Sequence, residues 1–337
     1  MSESLYRKYR PQVFTDVVGQ ERSVSLLQSF ITSSKVPSSI ILKGTRGVGK
    51  TTMARIFARE LGVDPIDIFE LDAASNNGVE DMRELCNDAY SVPVMSSRKI
   101  YIFDEVHMFS GSTWSVLLKM LEEPPAHVVF VMATTDDHKI PDTIISRSVV
   151  VALQSPNDQS LTEVITRTAI AEGRELSSDA VAQLVIAADG SFRNAQVALE
   201  TVLVAITDKS VTADHVSSVL SLPPLPFVRE LLHAIAYPKQ ETISSVLEKI
   251  PNYGAGQTMR MLLSRVHMCL GFRFQILKTL PEADRELVQS IARDISGSRI
   301  NAATLTELLR VESDMLVSAD AGMTLQAYLY GVLEKIQ

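Results

Sequence analysis

The chain has 337 residues, 46% of them hydrophobic, a net charge of −8 and only two cysteines. That is enough for two or three domains with several cores. It excludes a disulfide-stapled fold, a protein coated in basic patches and, since no apolar run reaches about 18 residues, a membrane-spanning helix.

The opening Met1-Ser-Glu-Ser-Leu-Tyr-Arg-Lys-Tyr-Arg10 is polar and lacks a signal-peptide core, so the expected location is cytoplasmic. Residues 1–155 alternate short apolar runs with amphipathic stretches. The runs Ser39–Lys43, Ile68–Asp72, Lys99–Asp104, Val128–Thr134 and Val149–Leu153 are rich in β-branched and aromatic residues, as strands buried on both faces are. Helical spacing falls between the first four, over Thr51–Leu61, Val79–Ala89 and Ser112–Leu121. Strand–helix–strand alternation predicts a parallel α/β sheet. From about Asn157 the pattern turns all helical: Gln159–Glu172, Asp179–Ala188, Phe192–Ile206 and Ala213–Leu220, with Gly173 and Gly190 at expected helix ends. Three prolines within Leu222-Pro-Pro-Leu-Pro226 break the chain and mark the best boundary. Beyond it Phe227–Ile250, Thr258–Leu280, Ala283–Ile295, Ala303–Ser318 and Leu325–Ile336 read as helices. Cys86 and Cys269 each fall in a helical stretch and read as reduced, buried thiols.

One motif carries chemistry. Strand Ser39–Lys43 runs into Gly44-Thr-Arg-Gly-Val-Gly-Lys-Thr51 and then into a helix starting near Thr52, which is G-x-x-x-x-G-K-[ST] in strand–loop–helix context. Glycines let the backbone N–H groups of Gly44, Thr45, Arg46, Gly47, Val48 and Gly49 wrap phosphates, and the helix N-terminus adds positive charge. Lys50 is expected to reach the β- and γ-phosphates of ATP and Thr51 to ligate Mg²⁺. The strand Lys99–Asp104 ends in adjacent carboxylates; Asp104 is expected to share the Mg²⁺ and Glu105 to act as general base on the attacking water. His107 either orients a switch segment or packs, and packing is the simpler reading.

Several longer strings resemble the clamp-loader ATPases of the bacterial DNA polymerase III gamma/tau family and, more distantly, the small subunits of replication factor C. They are Leu5-Tyr-Arg-Lys-Tyr-Arg-Pro-Gln12 with Phe14 and Asp16-Val-Val-Gly-Gln20, Glu70-Leu-Asp-Ala-Ala-Ser-Asn-Asn-Gly78, Phe103-Asp-Glu-Val-His-Met108, Leu117-Leu-Lys-Met-Leu-Glu-Glu-Pro-Pro125 and Ala133-Thr-Thr135. The resemblance is strong over residues 1–205 and architectural beyond 225. It implies an α/β AAA+ fold: a parallel-sheet P-loop ATPase domain at 1–155, a small helical lid at 156–221 and an all-α collar for oligomerisation at 222–337.

The same resemblance implies site roles. Thr135 matches the sensor-1 position, Arg193 the lid arginine that reports on nucleotide, and Arg147 the arginine finger that reaches a neighbouring subunit's ATP. Arg7, Tyr9 and Pro11, with Val17 and Val18, fall where the family closes over adenine, although a hydrophobic staple on the first helix explains the apolar ones equally well. Thr52 completes the nucleotide set. Ser75, Asn76, Asn77, Gly78 and Arg83 around one helix start, and Ser110 and Ser112 at another, are candidates for duplex phosphate contact without sequence reading, or simply helix caps.

Two departures stand out. The family's four-cysteine zinc module is replaced by Gly62-Val-Asp-Pro-Ile-Asp67, so no zinc is expected. Ser148 stands where the family usually has cysteine, and the segment that follows the collar in the family's long form is expected to be missing. The implied function is an ATPase subunit, within a hetero- or homo-oligomer expected to be pentameric, that uses ATP to open a sliding clamp and load it on primer–template DNA. The alternatives are another oligomeric AAA+ motor, for branch migration or helicase loading, and a structural loader subunit that does not hydrolyse ATP.

Overall fold

The structure, a computed structural model, describes residues 3–75, 78–250, 253–277, 280 and 284–334. They form two compact units. The first holds residues up to Val164 together with Gly190–Val197, and the second holds Ile165–Asp189 and everything from Ala198.

The first unit opens with α1 (Leu5–Lys8) and α2 (Glu21–Thr32). Five parallel strands follow: β1 (Ser39–Lys43), β2 (Ile68–Asp72), β3 (Lys99–Asp104), β4 (Val128–Thr134) and β5 (Val149–Ala152). They lie in the order β2-β3-β4-β1-β5. Crossover helices α3 (Lys50–Glu60), α4 (Val79–Ala89) and α5 (Gly111–Glu122) join them, and α6 (Asp142–Ile145) precedes β5. The parallel α/β sheet expected from the apolar runs is therefore present, with every strand within a residue of its expected bounds. Central β4 is buried throughout, as a strand covered on both faces must be. One face packs Tyr101, Phe103 and Phe130 with Trp114 and Leu117 of α5. The other packs Ile40, Leu42, Ile100 and Val131 against Met53, Ile56 and Phe57 of α3. Each such side chain contributes about 1.5–3 kcal/mol by leaving water. Helix α2 was implied only by the staple and given no bounds, because Val24, Leu27 and Ile31 make a narrow apolar stripe among serines.

α7 (Asp158–Ala171) and α9 (Phe192–Ala205) each contribute residues to both units. The second unit also holds α8 (Ser178–Ala188), α10 (Ala213–Leu220), α11 (Leu225–Ala236), α12 (Gln240–Lys249), α13 (Ala255–Arg273), α14 (Arg285–Arg293), α15 (Ala302–Val317) and α16 (Ala321–Glu334). The all-helical expectation needs one correction. β6 (Glu175–Leu176) and β7 (Ser210–Val211) pair in parallel, two residues each, too short to leave a periodic signature. The stretch Phe227–Ile250 is two helices, because Pro238 cannot donate within a continuous one. Pro226 by contrast sits in the first turn of α11, where its missing N–H costs nothing. The break it belongs to, 221–224, lies inside the second unit.

Candidate nucleotide-binding site

In a parallel sheet all strands end on one edge, and the helices that follow begin there. That edge carries the glycine loop, the two carboxylates and the starts of α3, α4 and α5. Gly44 N donates to Thr134 O (3.2 Å), tying the loop to the end of β4. Gly47 (φ 78°) and Gly49 (φ 103°) take left-handed backbone that other residues avoid. A Cβ on Gly47 would come 2.0 Å from Ser191 Oγ, so a side chain is excluded there twice over. Val48 is buried in the core, Arg46 is exposed and Thr52 is half-buried on the first turn of α3. Thr45 Oγ1 and Ser155 Oγ are 2.8 Å apart.

Lys50 is buried and its Nζ donates to Gly44 O (2.9 Å) and Thr45 O (3.0 Å). It thus folds back onto the start of the loop. Burial holds its pKa below the usual lysine value, and Glu105 and Asp104 partly oppose that shift. Thr51 Oγ1 donates to Asp104 Oδ2 at 2.6 Å. A hydroxyl and a carboxylate side by side are hard oxygen donors of the kind Mg²⁺ takes, so the pair fits that ion.

Glu105 carries left-handed backbone (φ 51°), unusual for a side chain of its size and typical of functional positions. Its Oε2 accepts from Thr135 Oγ1 (3.0 Å) and lies 3.3 Å from His107 Nδ1. The expected sensor threonine and the expected base are therefore in direct contact. Arg193 is exposed, and its guanidinium stacks over the Tyr6 ring, 4.8 Å from the centroid. Its own Cβ lies close to the position a Gly47 side chain would take, which brings it to the glycine loop. Tyr6 and Ser191 were not anticipated. Ser191 Oγ accepts from Asn194 N (3.2 Å) at the start of α9, a cap signal that Gly190-Ser191 does carry. For Tyr6 the only hint was its place in the family-like string that opens at Leu5.

Arg7 Nε donates to Tyr6 Oη (3.1 Å), and Tyr9 ends α1. Pro11, Val17 and Val18 are half-buried, Val17 against the same core as Phe14. These five residues lie in the N-terminal segment of the same unit. Arg147 does not join the site. Val149 is in register with Ile40, at the edge where strands begin, so Arg147 is a strand's length, about 13 Å, from the loop edge. There it pairs with Glu122 (3.0 Å) and donates to Thr143 O. Ser148 is spent on Ser39 Oγ (2.7 Å) and Ile144 O.

Of the DNA candidates, Asn76 and Asn77 lie outside the described residues. Ser75 is exposed, Gly78 caps α4, and Arg83 pairs with Glu80 on the exposed face of that helix. Ser110 Oγ caps α5 by accepting from Thr113 N and meets the Ser112 hydroxyl at 2.8 Å. Zinc does not fit. Asp64 caps the turn at Pro65–Asp67, and Asp67 binds three backbone N–H groups. Burial pushes the Cys86 thiol up to about 11 and the Cys269 thiol up to about 12, which keeps both as neutral thiols. Among the described residues no three His, Cys, Asp or Glu side chains gather to hold a metal. No helix among them is long and apolar enough to cross a membrane.

Sheet order, glycine loop and strand-end carboxylates together define a P-loop ATPase of the AAA+ class. A family profile described as "DNA polymerase III, delta subunit" matches residues 64–157. The chain is 32% identical over 322 residues to the DNA polymerase III subunit gamma of Buchnera aphidicola, covering 88% of this chain and 89% of that one. It belongs to the DNA polymerase III gamma/tau family. Against subunit tau/gamma of Haemophilus influenzae the identity is 34% over 279 residues, 77% of this chain and 40% of the relative; against tau of Bacillus subtilis it is 37% over 214 residues, 57% and 38%. The chain thus spans well under two thirds of those two longer relatives. Among solved structures, the Thermotoga maritima RuvB Holliday junction branch migration motor shares the fold, with a TM-score of 0.55 at 21% identity over 72% of this chain and 85% of that one.

Proposed function

We propose that the chain is an ATPase subunit of a sliding-clamp loader, in which ATP lies between subunits, opens the clamp and is hydrolysed once primer–template DNA is engaged. The observation that supports it most is the split of the site. Lys50, Thr51, Asp104, Glu105, Thr135 and Arg193 gather on one sheet edge, while Arg147 stands on the opposite one. In this reading Arg147, too far to serve its own loop, serves a neighbour's. In this reading residues 1–155, 156–221 and 222–337 act as ATPase core, lid and collar.

Lys50 and the loop amides bind the phosphates and stabilise charge on them. Thr51 and Asp104 would hold Mg²⁺, which neutralises phosphate charge when bound. Water attacks the γ-phosphorus, its proton passes to Glu105, and the bond to the β–γ bridging oxygen breaks to leave ADP and phosphate. Arg147 of the adjacent subunit stabilises the transferring group. The helix starts at Gly78 and Ser110 would meet DNA phosphates through backbone amides.

Lys50→Ala is expected to abolish ATP-dependent clamp capture, and Glu105→Gln to keep capture but cut steady-state turnover by about 10²-fold or more. Clamp capture by Lys50→Ala at the normal level overturns the reading. The coarser reading, an oligomeric AAA+ ATPase that acts on DNA, also covers a branch-migration or helicase-loading motor, and the RuvB-like fold suits it equally. The identity to gamma along most of its length favours loading. Undiminished turnover in Glu105→Gln would favour the non-hydrolysing structural subunit.

A further inference from the structure

We propose that His107 is a positioning residue for Glu105, set in one tautomer by Thr134. The tautomer follows from counting hydrogens. Thr134 is fully buried, and its Oγ1 donates its single hydrogen to Asp136 O (3.0 Å). The same oxygen accepts from Asp136 N (3.0 Å). Its remaining contact is His107 Nδ1 at 3.3 Å, and toward that atom it has only a lone pair to offer. Nδ1 therefore carries the proton. That N–H also lies 3.3 Å from Glu105 Oε2, on which the Thr135 hydroxyl converges.

The consequence is a division of labour between the two carboxylate oxygens. Oε2 faces two donors, one from the loop after β3 and one from the end of β4. Held by that oxygen, the carboxylate offers Oε1 to the attacking water. His107 is mostly buried, so its ring is held by packing rather than by solvent. Glu105 carries strained, left-handed backbone that its surroundings must hold, and His107 and Thr135 both meet its side chain. An imidazole beside a nucleophile-activating carboxylate, oriented by a third group, repeats the logic by which sites hold a base in one geometry.

The inference rests on Glu105 being the base, and the experiment separates the two. In the assembled protein, kcat for ATP and the Kd of a non-hydrolysable ATP analogue are measured for His107→Ala, His107→Asn, His107→Gln and Glu105→Gln. An asparagine amide nitrogen falls where Nδ1 lies, whereas a glutamine amide falls where Nε2 lies. His107→Ala and His107→Gln are expected to lose about tenfold or more in kcat with Kd changed less than about twofold, and His107→Asn to regain most of the loss. Thr134→Val, which removes the acceptor, is expected to lower kcat in the same way and to be non-additive with His107→Ala. Normal kcat in His107→Ala with turnover lost in Glu105→Gln overturns the inference alone. Equal rescue by glutamine and asparagine overturns it too, since mere filling of space would then suffice. Normal turnover in Glu105→Gln removes the base itself. Should His107→Ala fail to fold, the asparagine–glutamine comparison still decides.

Discussion

Asp67 shows how much one buried carboxylate can organise. Its two oxygens accept from Val94 N (2.7 Å), Met95 N (2.9 Å) and Ser96 N (2.7 Å), pinning the loop that leads into β3. Burial pushes its pKa up, and these donors outweigh burial and bring it below the usual carboxylate range. A depressed folded-state pKa stabilises the protein above the unfolded-state value of about 3.9, and that stabilisation fades as pH falls through the folded value. Asp67→Asn is therefore expected to lower the thermal midpoint at neutral pH, with the gap to wild type closing below about pH 4. A gap that stays constant down to pH 3 in calorimetry would sink this account. From the sequence, Asp67 was merely the last residue before a strand. Lys50 and Thr51 were legible because the ligand dictates their spacing, and Asp104 because it ends an apolar strand. Tyr6, Ser191 and the contact of His107 with Glu105 were not, because each depends on a partner distant in the chain or on the direction a side chain takes.

At the scale of elements, α11, α13 and the start of α14 meet at one carboxylate. Buried Asp284 bonds Arg229 of α11 (3.0 Å) and Arg265 of α13 (3.0 Å) as α14 begins. Burial lowers the Arg265 pKa and the Asp284 charge opposes that shift. Removing one partner leaves buried charge uncompensated, so Asp284→Ala is expected to cost about 3–5 kcal/mol in urea unfolding. A loss below about 1 kcal/mol would mean the pair is solvated in solution. The strands of the first unit were readable because burial on both faces demands unbroken apolar runs. The bounds of α2 were not, since an apolar stripe that narrow is easily lost among serines. The β6–β7 pair was invisible because two residues carry no period.

At the scale of the whole molecule, the decisive feature is an arginine on the wrong side of its own sheet. If Arg147 completes a neighbour's site, Arg147→Ala should lower ATPase turnover of the assembled protein by about 10³-fold. Mixing Arg147→Ala with Lys50→Ala should restore part of it wherever copies meet, because some interfaces then combine an intact loop with an intact finger. No recovery at any mixing ratio in a steady-state assay would argue that the arginine serves only its bond to Glu122.

By itself the sequence determined the parallel sheet, the phosphate loop and the family, because these are written in local periodicity and in residue types that backbone conformation and ligand chemistry demand. Only the tertiary structure decided that Thr135 and His107 converge on Glu105, that Ser191 closes against Gly47, and that Arg147 stands away from them all. Those outcomes depend on which strand ends lie together, and strand order is set by packing across the whole sheet rather than by any one segment.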